Sequence, residues 1–415
     1  MPVQTTFEFH AIPAAVLPEA SRYLIQSAAW FQGWLYLGIC CYPADPHQPG
    51  VALLLRHRSR ANWELLHTAS IESRWIDRNG QYRQFPLELG WRILTVLPGN
   101  VQPTPLLYAI RLSLRAPVVL YSEDGSHFQD IPNPGASGGH SPFVDWRGFS
   151  AKVFAIPASA ATNSGPPSPF AYVAANPLSQ DWRPACSAGF GDAENTTLDG
   201  LQVAHGQLYA AAGNPLGGFQ LWKTSARGEP PFAWELALSE GAQRYTLNPH
   251  VETMATFQDA LYLGTRSPPP NPEWDFATSG AEIIRMPADG RWELVMGTPR
   301  FSPVGLQVPL STHGPGFGDD RNRRVSQLAS TPDALYAALD ANESLADATA
   351  NAKGFALWKS HDGQDWQAIT QDSFGCPAAT TLRVLQPTSQ TLVAAGEWDL
   401  TLDPTARPGI WLEKK

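Results

Sequence analysis

Seven short segments of the form L-Y-x-G/A constrain this chain more than any other feature. They lie at Leu35-Tyr36, Leu107-Tyr108, Val153-Phe154, Leu208-Tyr209, Leu261-Tyr262, Leu335-Tyr336 and Leu392-Val393. Most are 46 to 57 residues apart, and two intervals exceed 70. A repeat of that size implies a small unit that cannot bury its own faces and must stack on its neighbours. Within one unit, residues 198 to 237, the order is strand, the turn His205-Gly206, strand LYAAA, loop, strand FQLWKT, turn, and strand FAWEL.

Four short antiparallel strands joined by tight turns make one propeller blade. An aromatic residue opens the fourth strand at Trp63, Phe128, Trp182, Trp234, Trp292 and Trp366. The last unit ends at GIWLEKK after three strands, and the unused segment TTFEFHAI supplies its fourth. The expectation is an all-β, single-domain, seven-bladed β-propeller over residues 1–415. Each blade has four antiparallel strands, and the N-terminal strand closes the ring. The approximate blades are 21–70, 84–133, 142–188, 197–240, 248–298, 322–372, and 380–415 with 5–12.

Composition agrees with that class. Among 415 residues are 38 Pro, 34 Gly and 15 Trp, which punctuate short elements and favour strands. No stretch sustains apolar i, i+3, i+4, i+7 spacing. Net charge is −9 with the basic residues scattered, which argues against a nucleic-acid partner. The N-terminus lacks the basic and apolar regions of a signal peptide, and no apolar run is long enough to span a membrane. The four cysteines, Cys40, Cys41, Cys186 and Cys376, form neither a disulfide framework nor a C-x-x-C zinc pair. A soluble cytoplasmic protein without metal or cofactor is expected. Three thiols brought together, Cys40, Cys41 and Cys376, are the one soft-metal alternative.

The turns Ser122 to Phe128 and Ser360 to Trp366 read S-x-D-G-x-x-[WF], and ADGRW at 288 to 292 is shorter. They resemble the Asp-box of BNR propellers, one residue shorter than S-x-D-x-G-x-x-W. Aspartate is expected to cap the turn's amides and glycine to take a positive φ, a structural role. LYLGT at 261 to 265 with GAEIIRM at 280 to 286 resembles a broad group of bacterial propellers reading GFGD…N…LYxGT…GAEIWR…W. Sialidases and related glycan hydrolases share Asp-box propellers, but their F-R-I-P motif, arginine triad and Tyr/Glu pair are missing here. The chain is also similar to the cyanobacterial alkylating enzymes of cylindrocyclophane biosynthesis. Those enzymes carry a calcium-binding domain of Gly/Asp nonapeptide repeats, which is absent here.

Propellers place functional groups on the face formed by loops before strand one and after strand two. GFGDAENTTL (189 to 198), GFGDDRNRRV (316 to 325) and the decayed SFGC (373 to 376) are pre-blade loops, read as structural turns with Phe wedged between blades. At the top of the innermost strands one register gives Gln26, Asp199, Glu252, Ser326 and Arg383. The register before it gives His250 and Arg324, with Arg323 adjacent, and Arg92, Asp145 and Arg147 fall in the corresponding region. Such a polar ring could position a ligand, with His250, Glu252 and Arg324 as catalytic candidates. The competing reading is a solvated mouth whose charges pair with one another. Trp274 and Trp398 could present aromatic surface, or pin their own loops.

Binding of a small molecule or a protein partner at the mouth is the leading expectation. An enzyme acting on a small organic or glycan substrate is the alternative.

Overall fold

The computed structural model describes residues 5–45, 48, 50–59, 62–68, 73–76, 80–85, 88–97, 104–113, 118–131, 143–157, 170–176, 178, 181–268, 280–303, 305–340, 354–389 and 391–414. Among these the chain is almost entirely β, and its helical turns run to four residues at most. Among the described residues the strands form three four-stranded antiparallel sheets, two eight-stranded ones that are each two four-stranded sheets joined by a short pairing, and two small ribbons, Ser73–Ile76 with Tyr82–Phe85 and Arg300–Ser302 with Gly305–Gln307.

The sheets fall in two compact units. One comprises residues 1–144, 176–180 and 376–415, the other 145–175 and 181–375. In the first unit, Arg22–Phe31, Trp34–Tyr42, Val51–Ser59 and Asn62–Thr68 form one sheet. Glu88–Val96, Leu107–Ser113, Val118–Ser122 and Gln129–Ile131 form the next. Its third sheet joins Ala379–Pro387, Leu392–Asp399 and Gly409–Glu413 to the distant strand Phe7–Ala11, paired from Phe7↔Glu413 to Ala11↔Gly409.

The second unit holds the sheet begun by Phe143–Phe149 and Lys152–Pro157, and three more complete ones. Their strands are Thr197–Ala204, Gln207–Gly213, Gln220–Thr224 and Glu235–Leu238; His250–Phe257, Ala260–Arg266, Ile283–Pro287 and Glu293–Met296; and Arg324–Ser330, Leu335–Asp340, Ala356–Ser360 and Trp366–Thr370.

The second strand of each sheet is covered on both faces. Residues Leu335 to Asp340 are all buried, so this strand reads as a continuous apolar run, while its neighbours alternate. Its Tyr and Gly each meet the following sheet. The Tyr36 hydroxyl lies against Gly125, and that of Tyr262 against Gly363, each glycine at the tip of an S-x-D-G turn. Gly38 lies against Trp91 and Gly264 against Val325, on the next sheet's first strand; a Cβ on either glycine would come within 2.6 Å.

The turns themselves are held as the sequence suggests. Asp362 accepts from the amides of Gln364 and Asp365, Ser360 Oγ accepts from the Gly363 amide, and Gly363 has φ +77°. The turn at Asp124 repeats this arrangement. Adjacent turns are tied as well, Gln32 donating to the Glu123 carbonyl and Gln258 to that of His361.

A cross-strand ladder starts from the same tyrosine. Tyr36 pairs with Arg56 and Arg56 with Glu64; Tyr262 pairs with Arg285 and Arg285 with Glu293; Tyr209 pairs with Lys223 and Lys223 with Glu235. The cation of each ladder forms an ion pair with its glutamate.

In the first unit, His57 is buried, stacked on Trp63 at 4.2 Å and edge-on to His10 at 5.5 Å. Burial, with His10 nearby, pushes its pKa down to about 4 from an ordinary 6.5.

Two outcomes are expected. Gly363→Ala strains a left-handed backbone and drives a methyl into the Tyr262 hydroxyl, so denaturant unfolding should show a loss of about 2 kcal/mol or more. Gly290→Ala, at φ +80° with open space around it, should lose only about 1 kcal/mol. Because neutral His57 is favoured in the folded state, its contribution is complete above pH 6.5. It falls away as pH drops from there toward 4, by on the order of 3 kcal/mol. Unfolding free energies across that window should flatten in His57→Phe.

Candidate functional site

A β-bulge interrupts the first strand of most sheets, and the unpaired residue is the one singled out from the sequence. In the second unit the register shifts across Asp199, Glu252 and Ser326. In the first it shifts across Gln26, Arg92 and Arg383. A bulge adds one residue against its partner strand and re-aims that side chain out of the alternating pattern. The residue just after the bulge position does a different job. Asp145 accepts from the Leu201 amide and Thr253 Oγ1 from the Leu328 amide, each on the next sheet's first strand. In the first unit Ser27 Oγ donates to the Trp91 carbonyl.

In the second unit these positions carry a row of charged clusters on successive sheets. Asp199 takes the Thr197 hydroxyl at 2.7 Å, lies 3.1 Å from His250 Nδ1, and accepts from the Val251 amide. The imidazole fits there because Gly213 has no Cβ to fill its place. His250 Nε2 has no hydrogen bond among the described residues. Glu252 lies 3.4 Å from Arg266 Nη1 and 3.6 Å from Arg324 Nη1. Arg324 is buried, and its fork grips Asp340 through two hydrogen bonds of 2.9 Å. Its planar donors therefore serve the fold, which corrects its candidacy as a catalytic group. Asp145 pairs with Arg147 at 2.8 Å, and burial holds its pKa above the ordinary carboxylate value in spite of that arginine. Arg323 accepts from the Ser267 amide through its backbone carbonyl.

The remaining candidates make other contacts. In the first unit the Gln26 amide lies against Gly90, and Arg383 is 3.9 Å from Glu397. Trp398 departs from expectation. It is 1% exposed, stacked on Trp411 at 5.1 Å and packed on Phe9, so it has no face to offer a ligand. Trp274 lies outside the described residues. Among those residues no His, Cys, Asp or Glu cluster could hold a metal. Cys40 and Cys41 are buried, as is Cys186, whose pKa burial pushes up to about 11.

The G-F-G-D loops are structural. Phe190 stacks on Trp222 at 5.0 Å and Phe317 on Trp358 at 4.2 Å, both phenylalanines at φ +59°. Asn195 and Asn322 each donate back to the first glycine carbonyl of their loop. A further copy, GAQRYTLN at 241 to 248, has the same backbone and the same Asn248 bond but lacks the Phe that marks the motif.

Glu282, inside the GAEIIRM segment, was given no role by its sequence context. It is fully buried, accepts from Asn248 and from the Thr298 amide, and lies 3.5 Å from Arg244 and 2.9 Å from Arg300. Gln220 occupies the same register position in the preceding sheet and donates to Asp192. The second latch sets a neutral amide against one carboxylate, where the first sets a carboxylate between two guanidinium groups.

No family model matches this sequence, and no curated protein matches it. Solved structures do. An ancestral GH74 enzyme aligns over 95% of this chain and 48% of its own, with 12% identity and a TM-score of 0.51. The Pyrococcus horikoshii acylaminoacyl peptidase aligns over 95% and 51% with 8% identity and a TM-score of 0.47. The β-propeller domain of the Trilobed protease from Pyrococcus furiosus aligns over 95% and 97% with 7% identity and a TM-score of 0.46. The chain thus spans about half the length of the first two. The repeated four-stranded antiparallel sheets support a β-propeller fold, and the likeness to the GH74 enzyme speaks for fold alone. Among the described residues no helix is long and apolar enough to cross a membrane.

Glu282→Gln should leave Arg244 and Arg300 buried without their counter-charge. Chemical unfolding is expected to show a loss of about 3 kcal/mol or more, since breaking one side of a buried ion network leaves uncompensated charge.

Proposed function

We propose that the seven sheets are the blades of one propeller over residues 1–415, and that the protein binds a polar small molecule at its bulge row. The pairing of Phe7–Ala11 with Gly409–Glu413 supports the first part, because it completes the last sheet with a strand from the other end of the sequence. One observation carries the second. At Gln26, Asp199, Glu252, Ser326 and Arg383, where first strands break register, the residue is polar, and Asp199 and Glu252 are pre-positioned by His250, Arg266 and Arg324. A site held in place before the ligand arrives loses less on ordering.

An enzyme is the second reading, favoured by the Asp199–His250 pair. A carboxylate on Nδ1 fixes the ring and its tautomer, leaving Nε2 to take a proton from a substrate. The glycan-hydrolase-like and alkylating-enzyme-like versions of this reading would use the same row.

A thermal-stability screen against a metabolite and glycan library tests both, using the parent and a His250→Ala/Glu252→Ala variant. A ligand at about 100 times its dissociation constant stabilises by about 2.7 kcal/mol. A hit lost in the variant supports the row as the site, and turnover of that hit, abolished by His250→Ala, selects the enzyme. A hit that survives in the variant overturns the assignment of the site.

A further inference from the structure

The ion pairs of this protein have two opposite orientations. In the cross-strand ladders the acid faces outward: Glu235 is 74% exposed and its partner Lys223 23%, and the Arg56–Glu64 and Arg285–Glu293 pairs follow suit. On the bulge row two pairs invert the order, while the buried Arg324 lies behind Glu252. Arg147 is 40% exposed over Asp145 at 18%, and Arg266 33% over Glu252 at 21%. In the other unit Arg22 over Asp399 and Arg383 over Glu397 repeat the inverted order. A chain of net charge −9 therefore presents guanidinium groups to solvent along this row, with carboxylates packed behind them.

Arg266 is the one of them that lies beside His250. Its only ion pair among the described residues is one Nη1 contact of 3.4 Å with Glu252, and it makes no hydrogen bond there. Most of a five-donor fork is left open. Its backbone pairs directly with His250, and paired positions on adjacent strands put side chains about 5 Å apart. A planar fork with open donors suits a two-oxygen acid better than any neutral group.

We infer that the ligand of this row is an anion, a small molecule bearing a carboxylate or phosphate group that docks on Arg266 beside His250. The inference rests on the binding reading above and adds a charge class and a residue to it. Glu252 acts as a positioning residue, holding the guanidinium from behind through its contact with Nη1.

The test is calorimetric titration of the full chain at low ionic strength, where screening is weak. The probes are citrate, inorganic phosphate, neutral glucose and cationic choline. The proteins are the parent, Arg266→Gln, Arg266→Lys and the ladder control Arg285→Gln, each checked for an unchanged thermal midpoint. Anion binding is expected in the parent, weakened about tenfold or more by Arg266→Gln. It should be only partly restored in Arg266→Lys, which keeps the charge but not the fork, and unchanged in Arg285→Gln. Citrate alone binding identifies a carboxylate site, phosphate alone a phosphoryl site. Anion binding indifferent to Arg266→Gln overturns the position. If only glucose, choline or an uncharged library compound binds, and does so through His250 and Glu252, the anion inference falls while the binding reading stands. If neither these probes nor the library bind, both fall.

Discussion

Two sheets of this protein, one in each unit, are fitted to their successors through two residues of one short motif. In L-Y-x-G the tyrosine hydroxyl occupies the space above a glycine in the next sheet's outer turn, and the glycine admits the next sheet's first strand. Both contacts are seen from the Trp34–Tyr42 strand and again from the Ala260–Arg266 strand. A larger residue at either glycine would push neighbouring sheets apart. The spacing of the first strands, and so of everything carried on them, is set by these absent side chains.

On that spacing rests a division of labour along each first strand. The residue after the bulge position ties its strand to the next through Ser27, Asp145 or Thr253, and the bulge residue is released for other work. Because Asp199 and Glu252 are supported by partners on two sheets, the row is rigid without being apolar. Burying such charges costs solvation, and the contacts to His250, Arg266 and Arg324 offset it. The buried Glu282 latch uses the same physics for a purely structural end.

Much of this was legible in the sequence for a simple reason. Motifs that mark a repeat also mark the contacts that make it necessary, so L-Y-x-G and S-x-D-G announced the sheets and their turns. The same alignment found the bulge residues, because the bulge keeps its place in the repeat. What stayed hidden was pairing between distant residues. Arg324 looked available until Asp340 was seen to hold its fork, and Trp398 until Trp411 and Phe9 were seen to cover it. Arg266 ends a strand whose apolar run drew attention away from it. The loop copy at 241 to 248 kept the backbone and lost the letters, with Ala242 where the others have Phe.

The strand Phe7–Ala11 also has a bearing on how the molecule is made. Its partner, Gly409–Glu413, lies far along the sequence, so the sheet they share stays one strand short until all the intervening sheets have been made. Closing so long a loop from a coil is entropically costly, although each doubling of length adds only about 0.6 kcal/mol. Once the intervening sheets have stacked, most of that search is over. Folding that proceeds sheet by sheet in chain order therefore brings Phe7–Ala11 to its partner only after the intervening sheets have formed.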